Sequence, residues 1–135
     1  MPDRILIIED NLLNLELVTD LLEAGGYMVE QARAAEEGLR MARASMPDLV
    51  LMDLSLPGMD GLAATQVLRA DPATRRLAIV ALTAHAMKGD EEKALRAGCD
   101  AYLAKPIDTR AFLQQISGFI SALKTRQTAP DIINL

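Results

Sequence analysis

The sequence predicts an α/β domain: a doubly wound, five-stranded parallel sheet in the strand order 2-1-3-4-5. Three observations lead there. Five short apolar runs alternate with five longer segments of helical period along the chain. Three of those runs are apolar throughout, as expected when helices cover both faces of a parallel sheet. The length of 135 residues suits one domain and leaves little room for a second. Right-handed crossovers then restrict the strand orders, and 2-1-3-4-5 is a common one at this size.

The elements follow in order. Ile5 to Ile8 is the first apolar run. Leu13, Leu17 and Leu21 form a four-spaced row, with Val18 and Leu22 beside it, and predict the first helix. Gly25-Gly26 supplies its stop, because glycine accepts the left-handed conformation at a helix end. Tyr27 to Val29 is the second strand, and about Ala34 to Ser45 the second helix, ended by Met46-Pro47. Leu49 to Met52 is the third strand and Gly61 to Ala70 the third helix. Ala78 to Leu82 makes the fourth strand, and Lys88 to Ala97 the fourth helix, closed by Gly98. Ala101 to Ala104 is the fifth strand. The last helix runs from about Asp108, a suitable N-cap, to Lys124, with Phe112, Ile116, Phe119, Ile120 and Leu123 on one face. Residues 1–124 therefore form the domain and 125–135 a short C-terminal tail containing Pro130.

Composition narrows the function. Two Tyr, two Phe and no Trp make the core aliphatic. A net charge of −5 and a pI near 4.8 argue against a binder of nucleic-acid backbone. Cys99 is the only cysteine, so neither an internal disulfide nor a cysteine-built zinc site is available. No run approaches the ~18 apolar residues of a membrane span, and the N-terminus does not read as a signal peptide. A soluble, cytoplasmic protein is expected.

In doubly wound sheets ligands bind beyond the carboxyl ends of the strands, at the switch point between strands 1 and 3. Strand 1 ends in Glu9-Asp10, strand 3 in Asp53, strand 4 in Thr83 and strand 5 in Lys105-Pro106. Three converging carboxylates raise one another's pKa unless a cation joins them. Their ligand atoms are all oxygens, which selects a hard ion, and Mg²⁺ commonly takes one or two carboxylates plus waters and a phosphate. A lysine and a hydroxyl beside such a site suggest a phosphoryl group, with Lys105 as a point charge and Thr83 as a donor. Phosphoryl transfer needs mostly positioning and charge neutralisation, and Asp53 stands where an aspartyl nucleophile belongs. Taken singly each residue has a plainer use. Asp10 and Asn11 can cap the first helix, Asp53 can be a loop acid, and Lys105 a solvated lysine. Chance accounts poorly for all four strand ends together.

These same residues carry a resemblance. The segments LIIEDN, PDLVLMDLSLPGMDGL, IVALTA and AYLAKPI resemble the motifs of response-regulator receiver domains, over about residues 4 to 124. DLLEAGGY and AMKGDEEKALRAGCDAYLAKPI are further similar to a single-domain member that regulates bacterial cell division and polarity. The resemblance implies a phosphoacceptor switch rather than a turnover enzyme, taking a phosphoryl group on Asp53 from a phosphohistidine. It implies Mg²⁺ touched by Asp10, Asp53 and the backbone carbonyl of Ser55, with Glu9 acting through a water. Many members carry Asp where this chain has Glu9, and the longer arm bears on metal affinity. Thr83 and Lys105 would bind the phosphoryl group, Tyr102 would turn inward on activation, and the Lys105-Pro106 bond would be cis. The implied partners are a sensor histidine kinase or histidine phosphotransfer protein and a downstream protein target, for a monomer or weak dimer that binds no nucleic acid. The receiver portion of a hybrid histidine kinase fits the same motifs.

His85 reads as a solvated loop histidine, and the resemblance gives its position a modest influence on phosphoryl lifetime. Cys99 reads as a small apolar residue packed at the start of the fifth strand. Met87, Ala104 and Ile107 are candidates for a partner-reading face on helix 4, strand 5 and helix 5. Two rivals from other classes fit less well. A haloacid-dehalogenase-type phosphatase expects a second acid two residues after the nucleophile, where this chain has Ser55. An FMN carrier expects a Ser/Thr/Gly-rich loop after strand 1, and Glu9-Asp10 would repel its phosphate.

Overall fold

A computed structural model describes residues 3–56, 59–83 and 89–128. Ten elements alternate along the chain: β1 (Arg4–Ile8), α1 (Leu12–Ala24), β2 (Met28–Ala32), α2 (Ala35–Ser45), β3 (Leu49–Asp53), α3 (Gly61–Ala70), β4 (Ile79–Thr83), α4 (Asp90–Ala97), β5 (Ala101–Ala104) and α5 (Phe112–Thr128). The strands form one parallel sheet in the order β2-β1-β3-β4-β5, as the alternation predicted.

Two half-cores explain why the central strands carry the unbroken apolar runs Ile5–Ile8, Leu49–Met52 and Ile79–Leu82. Successive side chains of a strand point to opposite faces. Leu6, Ile8, Val50, Met52, Ile79 and Ala81 pack with residues of α2, α3 and α4 on one face. Ile5, Ile7, Leu49, Leu51, Val80 and Leu82 pack with α1 and α5 on the other. Every residue of β3 and β4 is buried. The edge strand β2 has exposed positions at Met28 and Gln31 and runs to Ala32, three residues beyond its expected end.

Several local expectations change. In α1 the buried residues are Leu15, Val18 and Leu22, whereas Leu13 is 77% exposed and Leu17 42%. This helix carries leucine on several faces, so its own periodicity does not select the inner one; docking on β1, β3 and α5 does. Gly25 closes α1 in a right-handed conformation, and Gly26 takes the left-handed one at φ 91°. The end of α2 is a left-handed Met46 at φ 49°. Asp108 accepts the Arg110 N–H on its side chain at 3.0 Å and the Phe112 N–H on its carbonyl at 3.0 Å, so it caps the turn that leads into α5. α5 continues through Thr128, so residues 125–128, expected in the tail, belong to this helix. His85 and Met87 lie outside the described residues, as do 129–135.

Gly61 fixes how α3 meets the end of β3. A Cβ there would lie 2.4 Å from the Asp53 carbonyl oxygen and 2.8 Å from the Leu54 Cα. Both are backbone atoms, so any larger residue would displace the strand end that carries Asp53.

Candidate functional site

The site forms where β1 and β3 end side by side. Ile8 pairs with Met52, so Glu9, just past the end of β1, and Asp53, the last residue of β3, follow side by side. The N–H of Glu9 donates to the Ala32 carbonyl at 2.9 Å, and that of Leu54 to the Leu82 carbonyl at 3.0 Å, which holds both exits. Asn11 caps α1 by accepting from the Asn14 N–H at 3.0 Å, and its own N–H points to Glu9 Oε2 at 3.3 Å. The capping use of Asn11 and the acidic cluster thus coexist.

Glu9, Asp10 and Asp53 each offer a carboxylate oxygen within 4.8 Å of the others. Glu9 and Asp53 are buried, and Asp10 is half-buried. The Ser55 N–H donates to Asp53 Oδ1 at 3.0 Å, which orients that carboxylate. Lys105, at the end of β5, completes the group. Its Nζ lies 2.6 Å from Glu9 Oε1 and 3.6 Å from Asp53 Oδ1. The longer arm of glutamate at position 9 is what reaches the ammonium, a pairing of residues 96 apart that sequence spacing did not signal. The Lys105–Pro106 bond is cis.

Thr83 ends β4 and is buried on the strand next to Asp53; its carbonyl accepts from the Lys105 N–H at 2.7 Å. Tyr102 pairs with Ala81, two residues deeper, and is partly buried against the half-core of α2, α3 and α4. Burial, and then the charges of Asp90 and Glu91, push its phenol above its ordinary value. Cys99 is buried beside Thr65, whose Oγ is 3.6 Å from its sulfur, as a packed residue rather than an exposed thiol.

Burial and the neighbouring Asp53 push Glu9 from 4.5 up to about 7, against the pull of Lys105. The donor set fits a hard cation: carboxylate oxygens without His or Cys, two of them buried and repelling each other. A divalent ion would relieve that repulsion. Without metal, the folded chain keeps a proton on Glu9 that the unfolded chain has lost between pH 4.5 and about 7. Metal-free stability is therefore expected to fall as pH rises through that window, by on the order of 3 kcal/mol. Urea midpoints across pH in EDTA measure this. Glu9→Gln should flatten the slope, and identical slopes for the two proteins would refute the assignment.

The match to the response regulator receiver domain family covers residues 5–117. Over 120 residues the chain is 44% identical to the polar-differentiation response regulator DivK of Brucella anthropi, spanning 89% of this chain and 98% of that protein. DivK of Brucella ovis is 43% identical over the same spans. Among solved structures, a receiver domain of a Pseudomonas aeruginosa sensor histidine kinase is similar at a TM-score of 0.83 and 36% identity, covering 90% of this chain and 99% of that one. That structure holds a magnesium ion in its active-site cleft. A receiver domain protein of Methanospirillum hungatei is similar at a TM-score of 0.84 and 30% identity, covering 93% and 98%.

Proposed function

The chain belongs to the response-regulator receiver domain family, a two-component signalling module, and from that membership we propose that it is a phosphorelay switch that accepts a phosphoryl group on Asp53. The observation that carries this is the cluster of Glu9, Asp10 and Asp53 with the Lys105 ammonium 3.6 Å from Asp53 Oδ1. Asp53 is the nucleophile. One of its oxygens bonds to phosphorus as the phosphohistidine nitrogen leaves. Asp10, Asp53 and the Ser55 carbonyl would hold Mg²⁺, with Glu9 behind a water, and the ion would neutralise charge on the transferring group. Lys105 shifts from Glu9 toward a phosphoryl oxygen, and Thr83 donates its hydroxyl to another.

The test is direct. Wild-type protein treated with acetyl phosphate and Mg²⁺ should gain one acid-stable, base-labile phosphoryl mass, and none in EDTA. Equal labelling in EDTA would overturn the metal's part in the reading.

Output runs through protein partners: a histidine kinase or phosphotransfer protein supplies the phosphoryl group, and a downstream protein reads it. The site is expected to work in the cytoplasm; among the described residues no helix is long and apolar enough to cross a membrane. The likeness to DivK favours a single-domain regulator in cell polarity or division. The 36% identity to a histidine-kinase receiver favours the second reading, a receiver within a hybrid kinase. In either case Thr83 moving toward the phosphoryl group would open space for Tyr102 and reshape the face of α4, β5 and α5, where Ala104 is exposed and Ile107 half-buried. Phosphorylation shifts such an equilibrium only through its differential contacts with the two states. Thr83→Ala should still take label on Asp53 yet bind its partner equally with and without beryllofluoride. A full beryllofluoride effect in Thr83→Ala would exclude this route.

A further inference from the structure

Arg33 borders the acidic cleft from the side opposite Lys105. The strand order sets the carboxyl end of β2 beside that of β1, and Ala32 pairs with Ile8. The loop leaving β2 then carries Arg33 to the site, where its Nη2 donates to the Asp10 carbonyl at 3.3 Å. The side chain is exposed, so it stands on the solvent side of the cleft. Three carboxylates and one ammonium make an unwelcoming entrance for an anion, and that ammonium lies 2.6 Å from Glu9. A guanidinium has five donors in a planar fork, enough to keep a carbonyl and hold phosphate oxygens together.

We propose that Arg33 is a second cation of this site, a donor-binding residue that draws in and orients the anionic phosphoryl donor. The proposal rests on the reading of Asp53 as acceptor. With acetyl phosphate as donor, an Asp53 oxygen bonds to phosphorus, the bond from phosphorus to the acetyl oxygen breaks, and acetate leaves with the electron pair. Arg33 contacts the non-bridging oxygens before transfer and exchanges no proton.

The experiment measures the second-order rate constant for acetyl phosphate labelling of the full chain at saturating Mg²⁺. Wild type, Arg33→Gln and Arg33→Lys are compared at low and high salt, with Mg²⁺ affinity measured separately by calorimetry. Arg33→Gln is expected to react about fivefold more slowly at low salt, with a shallower salt dependence. Arg33→Lys should recover most of the rate, and Mg²⁺ affinity should be unchanged. A wild-type rate in Arg33→Gln overturns the proposal. So does a parallel loss of Mg²⁺ affinity, which would make Arg33 a support for Asp10 instead. If wild type itself takes no label, it is the reading of Asp53 that falls.

Discussion

Asp53→Asn is expected to abolish the phosphoryl adduct that acetyl phosphate and Mg²⁺ produce on wild type, with no compensating label elsewhere. The neighbouring acids are poor substitutes. Glu9 lies against the Lys105 ammonium at 2.6 Å and is held up to about 7, so near neutral pH much of it carries a proton and is not nucleophilic. Asp10 lies on the loop between β1 and α1, where the resemblance gives it the metal rather than the phosphoryl group. Asp53 differs from both: its Oδ1 is oriented by the Ser55 N–H at 3.0 Å and faces Lys105 at 3.6 Å. Asparagine is nearly isosteric and keeps an acceptor for Ser55, so the variant should fold, which circular dichroism checks. Intact-mass spectrometry is the measurement. A label of wild-type yield on Asp53→Asn would assign the chemistry to another residue.

The largest stability loss is expected at Arg69, which plays no part in the site. It lies in the last turn of α3, where a basic residue is ordinarily a solvated partner of the helix dipole. Here its guanidinium is mostly buried. Nε donates to the Gly98 carbonyl at 2.8 Å, Nη1 to the Arg75 and Leu77 carbonyls at 2.8 and 2.6 Å, and Nη2 to Asp100 Oδ2 at 2.9 Å. The same Asp100 oxygen accepts from the Ile79 N–H at 2.9 Å. One side chain thus ties the end of α4, the turn before β4 and the start of β5. Arg69→Met keeps the stem but removes these bonds and takes the guanidinium away from the Asp100 carboxylate. Breaking a buried pair in this way costs about 3–5 kcal/mol. Urea denaturation measures it, and a loss below about 1 kcal/mol would class the cluster with ordinary surface pairs. Replacing Asp100 as well, in Arg69→Met/Asp100→Leu, should cost less than the sum of the two single changes.

The chain by itself determined the architecture and most of the site. Strand and helix differ in period, and an apolar run such as Leu49 to Met52 between helical segments reports burial on both faces of a sheet. Because ligands gather where such strands end, Glu9, Asp10, Asp53, Thr83 and Lys105 could be picked out by position and chemistry alone, and the structure brings the three acids and the lysine together. The rest was decided only by tertiary contact. Leucines on several faces of α1 satisfy a helical period in more than one way, and docking on the sheet chose Leu15, Val18 and Leu22 over Leu13 and Leu17. Nothing local distinguishes Arg69 or Arg33 from other arginines, since what sets them apart are carbonyls and carboxylates supplied by distant segments. The preference of Lys105 for Glu9 over Asp53 likewise depends on distances across a folded sheet, to which sequence pattern is blind because it records order along the chain and not proximity through space.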